Sequence, residues 1–413
     1  MSVTATFRIP APVSRPSPRG KVLLVSTNFG IGGGAEEQVS SLALGLGSRG
    51  WQVRLVSMLP PSGPVSAEFA QAGIPFTTLG MRRGLPDPRA VFALRSVINA
   101  FQPDIVHSHM THANLLARIT RPMCQVPALI STLHGLRMFG VNKRFTLLRE
   151  LGHRLTDKWS DATTTICEAA ADSYRQCGAV PADKISVVFN GVDTSVYKPN
   201  PEARIHLRKA LGVADEFVWL AAGRLEKPKA YPVMIDAFAA ATRDCQRPQR
   251  LFICGSGSLA SSIQSHIARL RMGANITMLG LRRDIPDLMS AADGFVLSSE
   301  TEGLPMVLLQ AAASQLPIVA TAVGGIAEVV RDGETGFAVE PNAPSALGAA
   351  MRRLAGMGAQ DRQRMGEAAR KLANQRFSNQ TVLDQWETMY AQLLARARPQ
   401  DPTPSETPRN NYL

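Results

Sequence analysis

The stretch Leu297–Gly325, LSSETEGLPMVLLQAAASQLPIVATAVGG, decides the fold. It reads as the end of a strand, a tight loop Glu302-Gly303-Leu304-Pro305, and an apolar helix that stops near Ser314. Leu316–Thr321 then reads as the next buried strand. A helix that starts directly after a strand presents unpaired N–H groups and the positive end of its dipole. That end can hold an anion such as phosphate. Gln310 lies eight residues after Glu302, about two turns along one helix face. One side chain can therefore face a sugar while the other faces another part of the same ligand.

Upstream, Phe217–Ala222 is a buried strand, followed by Gly223-Arg224-Leu225 and Lys229, then a helix through Val233, Ile235, Ala237 and Phe238. Two cations at one strand-to-helix mouth suit a leaving nucleoside diphosphate, whose charge grows as a sugar departs. Gly255-Ser256-Gly257 follows the strand Arg250–Cys254, but no third glycine completes a dinucleotide fingerprint. Asn275–Leu279 is a further strand, and Arg331–Phe337 reads as a turn.

The first half shows the same alternation. Lys21–Thr27 is an apolar strand, then a glycine loop ending Gly33-Gly34-Ala35-Glu36 opens a helix through Val39, Leu42 and Leu46. Gln52–Ser57, Asp104–His109, Ala128–His134, Asp161–Ile166 and Lys184–Phe189 are further strands. His107, His109 and His112 lack a carboxylate partner and the spacing of a zinc site, so they read as structural and no metal is expected. His134-Gly135 stands at a strand's carboxyl end, where α/β sheets bind ligands. Lys143–Trp159 is a helix whose stripe Phe145, Leu148, Leu151, Leu155 and Trp159 reads as core-facing, with Lys143, Arg154 and Lys158 on a solvated flank. The alternative for that flank is contact with anionic lipid headgroups.

Composition agrees with a two-domain globular chain of 413 residues, 45% of them hydrophobic. No run reaches the roughly 18 apolar residues that span a bilayer, and the first residues have no apolar core of a secretory signal. Five scattered cysteines fit a reducing cytoplasm. Residues 1–204 hold 22 basic and 13 acidic side chains, and residues 205–413 hold 23 and 20, so most of the +12 charge sits in the first half. Such asymmetry suits an anionic membrane or substrate. Few aromatics and the absence of a nucleic-acid motif argue against nucleic acid as a partner.

Taken in order, Gly33-Gly34, His134, the Asn190–Asp193 segment NGVD with Tyr197-Lys198-Pro199, Arg224 and Lys229, and Glu302 with Gln310 resemble the retaining nucleotide-sugar glycosyltransferases of family 4. The resemblance runs from about Lys21 to Leu394. It implies a GT-B fold, two Rossmann-like doubly wound parallel-sheet domains facing a cleft. The implied division is a disordered tail (1–19), an acceptor domain (20–203), a nucleotide-sugar domain (204–379), a helix crossing back to the first domain (380–397) and a second disordered tail (398–413).

The resemblance also implies roles. Gly33, Gly34, Arg224 and Lys229 hold the donor diphosphate, Gly303, Leu304 and Pro305 line the donor loop, and Glu36 lies on the acceptor side. His134 orients the donor sugar, and Glu302 binds its hydroxyls and the cation-like centre. The family's second glutamate, which takes the ribose hydroxyls, is Gln310 here, and its glycine after the lysine is Ala230.

The implied reaction moves a sugar with retention, without metal or cofactor, from a nucleotide sugar to a saccharide or lipid-linked acceptor in cell-envelope or exopolysaccharide synthesis. The location expected is cytoplasmic, peripheral on the inner face of the plasma membrane. A sugar-nucleotide epimerase, a non-catalytic nucleotide-sugar-binding protein and a dehydrogenase are the alternatives.

Overall fold

Two all-parallel sheets organise the chain, and each changes winding direction once. The computed structural model describes residues 19–30, 33–61, 65–84, 87–136, 143–243, 245 and 247–397. Of the expected tails 1–19 and 398–413, residues 1–18 and 398–413 lie outside the described residues, whereas Arg19 is described and pairs with Glu387.

The first half runs β1 (Lys21–Ser26), α1 (Gly34–Ser48), β2 (Gln52–Ser57), α2 (Val65–Gln71), β3 (Phe76–Thr78), α3 (Arg89–Phe101), β4 (Ile105–His109), α4 (Thr111–Thr120), β5 (Ala128–Leu133), α5 (Lys143–Thr156), β6 (Ala162–Thr165), α6 (Glu168–Gln176) and β7 (Ile185–Val187). Its sheet order is β3-β2-β1-β4-β5-β6-β7. The second half runs α7 (Pro201–Ala210), β8 (Phe217–Ala222), α8 (Tyr231–Ala241), β9 (Gln249–Cys254), α9 (Ala260–Arg269), β10 (Ile276–Gly280), α10 (Ile285–Ala291), β11 (Gly294–Leu297), α11 (Met306–Ala313), β12 (Ile318–Thr321), β13 (Gly336–Val339), α12 (Pro344–Gly356), α13 (Ala359–Leu372) and α14 (Asn379–Ala397). Its sheet order is β10-β9-β8-β11-β12-β13.

Both sheets are covered on both faces, so β1, β8 and β11 are near-continuous apolar runs, while β4 (IVHSH) and β6 (ATTT) carry polar side chains that are buried as well. Every residue of β8 is buried, as is every residue of β5 and β11. Two short strands carried no readable signal: β3 has three residues, and β13 emerges from the Arg331–Phe337 segment read as a turn.

The chain returns to the first domain at its end. Val192 and Phe377–Asn379 run side by side, with the Val192 N–H donating to the Phe377 carbonyl (2.7 Å) and the Asn379 N–H to the Val192 carbonyl (3.0 Å). Helix α14 then covers one face of the first sheet, burying Trp386 and Tyr390 against Val22, Leu24 and Leu42. Full burial of such rings stabilises by about 2–3 kcal/mol each. Gly45 makes the close approach possible, because a Cβ there would stand 2.5 Å from Leu383 Cδ1. Arg49 and Arg19 both pair with Glu387, and the Trp51 indole N–H donates to the same carboxylate (2.8 Å).

Helix α5 reverses the expectation of a core-facing stripe. It buries His153 and Thr156, and leaves Leu148, Leu151 and Leu155 exposed at 62%, 50% and 63%. The reason lies beneath it. The strands there carry buried Ser131 and Thr163, and Arg118 is fully buried among them. Arg118 donates from Nε to Ser131 Oγ (2.9 Å), from Nη2 to Thr163 Oγ1 (2.7 Å) and from Nη1 to the His153 carbonyl (3.3 Å). Buried polar groups need such partners, so α5 turns its polar side inward. Burial pulls the Arg118 pKa down to about 10 and, with Arg118 beside it, the His153 pKa down to about 3. Arg154 and Lys158 are exposed, as expected for a flank, while the Lys143 and Phe145 side chains lie outside what is described.

Candidate active site

In each sheet the winding reverses between two neighbouring strands, and the loops leaving their carboxyl ends part to leave a crevice. In the second sheet those strands are β8 and β11. The loop after β8 carries Arg224 and Lys229, and the loop after β11 carries Ser298 to Pro305. Topology alone therefore brings Lys229 to Glu302. Their side chains form a short, direct ion pair, each about 15% exposed or less. Ser299 Oγ donates to the same Glu302 oxygen (2.7 Å), and Ser298 Oγ donates to the Lys229 carbonyl (2.8 Å).

The Glu302 loop is clamped from behind. The Gly325 N–H donates to the Gly303 carbonyl (2.7 Å). Gly324 has φ +56°, and a Cβ on it would stand 1.8 Å from the Glu302 carbonyl oxygen. No other residue allows both the left-handed backbone and that approach. Ala230, where the family resemblance places glycine, is itself left-handed (φ +46°, ψ +43°). Its methyl group makes that turn strained.

From the first domain, β1 leads into α1, whose amino end meets α11 across the cleft. A Cβ on Gly34 would stand 3.2 Å from Met306 Cγ, and Met306 is the first residue of α11. Two helix amino ends thus converge beside the Lys229–Glu302 pair. Helix α11 has Pro305 at its cap and no acid in its first turn, whereas α1 carries Glu36 and Glu37 there. Glu36 folds back over Gly33, where a Cβ would fall 2.0 Å from its Oε2.

His134 closes the third side. Gly303 lies against it, since a Cβ on Gly303 would sit 3.3 Å from the His134 carbonyl oxygen. His134 Nε2 shares a proton with His109 Nδ1 at 3.0 Å, and the His109 ring packs on His107 with centroids 4.0 Å apart. Both His107 nitrogens are engaged, by Tyr390 (2.8 Å) and Thr132 (2.7 Å). Burial lowers all three imidazole pKa values, that of His134 to about 4. The chain of rings is neutral at pH 7, and His134 Nδ1 has no partner among the described residues. Directly after His109, Met110 has φ +71° and ψ +154°, a conformation essentially reserved for glycine, and strain of this kind clusters at ligand sites.

The structure thus gathers Gly33, Gly34, His134, Lys229, Glu302, Gly303, Pro305 and Gln310 around one cleft. Arg224 stands on the same loop as Lys229, exposed, with its side chain in no hydrogen bond or ion pair among the described residues. The Leu304 side chain is in the core, and its carbonyl accepts from Asn190 Nδ2 (3.0 Å), so only backbone remains for a ligand there. Gln310 is buried, and its Nε2 donates to Glu37 Oε1 (2.9 Å) on α1. The sequence reading missed Glu37 and Ser299. A glutamate beside Glu36 at a helix start looks like an ordinary dipole partner, and a serine at a strand end carries no signal.

Residues 32–196 match the family described as Glycosyltransferase Family 4, and residues 204–372 match Glycosyl transferases group 1. A D-inositol 3-phosphate glycosyltransferase of Corynebacterium aurimucosum is 30% identical over 310 residues, 71% of this chain and 72% of that one. The UDP-Gal:alpha-D-GlcNAc-diphosphoundecaprenol alpha-1,3-galactosyltransferase of Escherichia coli is 28% identical over 269 residues, 62% of this chain and 68% of its own. In fold, the chain is similar to Anabaena HepE, crystallised with UDP, at a TM-score of 0.79 and 23% identity, covering 90% of this chain and all of that one. The architecture is that of a GT-B nucleotide-sugar glycosyltransferase. Within that class, the chain belongs to glycosyltransferase family 4.

Proposed function

We propose that the protein transfers a hexose with retention of configuration, without a metal ion or cofactor, to a saccharide or lipid-linked acceptor. The observation that carries this reading is the meeting of two helix amino ends beside the Lys229–Glu302 pair. The donor diphosphate lies at the Gly34 and Met306 helix ends, and Arg224 and Lys229 neutralise it as charge grows on the leaving group. Phosphate competes for Lys229 and so releases Glu302 to the sugar. Neutral His134 holds a sugar hydroxyl. The acceptor hydroxyl attacks the anomeric carbon from the face the leaving group departs, and a donor phosphate oxygen takes its proton. The division between the units falls in the Thr194–Ala203 linker. The relatives' names favour starting a donor panel with UDP-sugars. An acceptor-dependent release of nucleoside diphosphate with an axial product linkage from an axial donor, undiminished by chelator, is the expected result. An inverted linkage would overturn retention, and chelator sensitivity would overturn the metal-free reading. Turnover of the donor without acceptor would return the epimerase.

A second observation supports a further part of the proposal, that the enzyme works at an anionic membrane surface on the cytoplasmic side. Leu147, Leu148, Leu151 and Leu155 face outward on α5, the helix that follows the cleft strand β5. Arg154 and Lys158 flank them and line a shallow hollow with Arg175 and Lys184. Exposed leucines rimmed by cations suit a bilayer interface. No helix among the described residues is long and apolar enough to cross a membrane. Leu148→Glu with Leu151→Glu is expected to abolish sedimentation with phosphatidylglycerol vesicles and to spare turnover of a soluble acceptor. Reversal of Arg154 and Lys158 weakens binding mainly at low salt. Unchanged sedimentation in both variants would remove the membrane from the reading.

A further inference from the structure

In the family this chain belongs to, a carboxylate on the helix after the donor loop takes the ribose hydroxyls. Here that position is Gln310, an amide. The amide is not free: it is buried and its Nε2 donates to Glu37 Oε1 (2.9 Å) across the cleft. Helices α1 and α11 lie side by side over their first turns, with Gly34 against Met306 and Glu37 against Gln310. The Glu37–Gln310 pair therefore sits about one turn, roughly 5 Å, deeper than the helix ends assigned to the phosphates.

Glu37 is exposed beside the α1–α11 junction, and only one of its oxygens is taken by Gln310. The protein walls around it raise its pKa above the ordinary 4.5, and the Gln310 amide acts in the opposite direction. A glutamate at 310 would place two carboxylates at hydrogen-bond distance, where they could not both ionise. An amide there instead orients Glu37 and leaves its second oxygen for a ligand. Among the described residues no basic side chain forms an ion pair with Glu37, so its second oxygen keeps acceptor capacity that Gln310 does not use.

We infer that Glu37, supplied by the first domain and held by Gln310, is the carboxylate that binds the donor's ribose hydroxyls, so that ribose recognition bridges the two domains. The inference rests on the donor reading above. It differs from a simple exchange of one residue for a weaker one. The carboxylate has moved to the opposite wall of the cleft, and nucleotide binding now ties the walls together. Restoring glutamate at position 310 by itself then weakens donor binding, because it repels Glu37.

The test is a cycle between protein and ligand. Calorimetry compares UDP, GDP and ADP with their 2′-deoxy counterparts on the wild type, on Glu37→Gln, and on Glu37→Gln combined with Gln310→Glu. The wild type is expected to bind its preferred diphosphate roughly tenfold or more tighter than the deoxy form, the scale of a hydrogen bond to a charged group. Glu37→Gln should reduce that ratio to about twofold or less, and the exchange of both residues should restore it, since a carboxylate again faces an amide. A merely structural contact between the helices would change both affinities together and leave the ratio alone. An undiminished ratio in Glu37→Gln, or no ratio in the wild type, overturns the inference while leaving the donor reading intact. Failure of the wild type to bind any of the three diphosphates overturns the donor reading, and the inference with it.

Discussion

The two helices that meet across the cleft, α1 and α11, start alike and are built oppositely. Each is the first helix after a strand of its sheet. Helix α1 has glycine at its cap and two glutamates in its first turn, and Glu36 folds over its own amino end. Helix α11 has proline at its cap, no acid in its first turn, and buried side chains nearly all round. The dipole of α1 is therefore met from within, while that of α11 is left for something else. For the function proposed above, the difference assigns the anion mainly to the second domain and its surroundings to the first.

The largest expected effect follows from that division. Because the anion rests on the second domain, Arg224→Ala and Lys229→Ala should each lower kcat/KM by about 10²–10³, the scale of a lost contact to developing charge. Gly34→Ala, on the α1 side, only crowds the flexible Met306 side chain and should cost roughly tenfold or less. Steady-state rates on the three variants check this. Equal losses on both sides would break the comparison.

Glu302→Gln sharpens it further. Glu302 pairs with Lys229. Removing its charge should lower kcat by about 10–100-fold, since its contact with the sugar strengthens in the transition state. Nucleoside diphosphate affinity should hold or rise, because Lys229 is released to the phosphates. Weaker diphosphate binding by calorimetry would show that Glu302 supports Lys229 rather than competing for it.

Acid should separate the two domains. His107, His109, His134 and His153 are held neutral, well below their ordinary 6.5, by burial in the first domain. Among the described residues, the second domain buries no histidine. As pH falls from about 6.5 toward 4, the unfolded chain takes up protons that the folded chain refuses, so stability falls with pH. Each such histidine contributes up to about 1.4 kcal/mol per pH unit in that window. Hydrogen exchange at pH 7 and pH 5, corrected for intrinsic rates, should show β4 and β5 losing protection before β8 and β11. Uniform loss would count against the buried histidines as its source.

The smallest effect concerns the loop that carries Lys229. Ala230 holds a left-handed backbone that glycine adopts without strain. Ala230→Gly relieves that strain and gains freedom in the unfolded chain, so the net stabilisation should be about 0.5–1 kcal/mol, read as a rise in the urea midpoint. A lowered midpoint would mean the turn costs nothing as it stands.

Much of this protein was legible in the chain itself. Buried parallel strands announce themselves as short apolar runs, and the loops that follow them as glycine, proline and charge, because both signals are local. The alternation of strand and helix, the cleft-facing loops and most residues of the site are of that kind. The outward face of α5 was not, since a leucine stripe says only that apolar residues share a side. Which side meets the sheet was decided by Arg118 and the Ser131 and Thr163 hydroxyls beneath. The same holds for the pairs that join distant parts of the chain. Lys229 and Glu302 are 73 residues apart, and Glu37 and Gln310 are 273 apart. Strand order brings the first pair together, and the closing of one domain on the other brings the second. Neither strand order nor domain closure is written in any local window, because both depend on which surfaces remain to be covered once every element has formed.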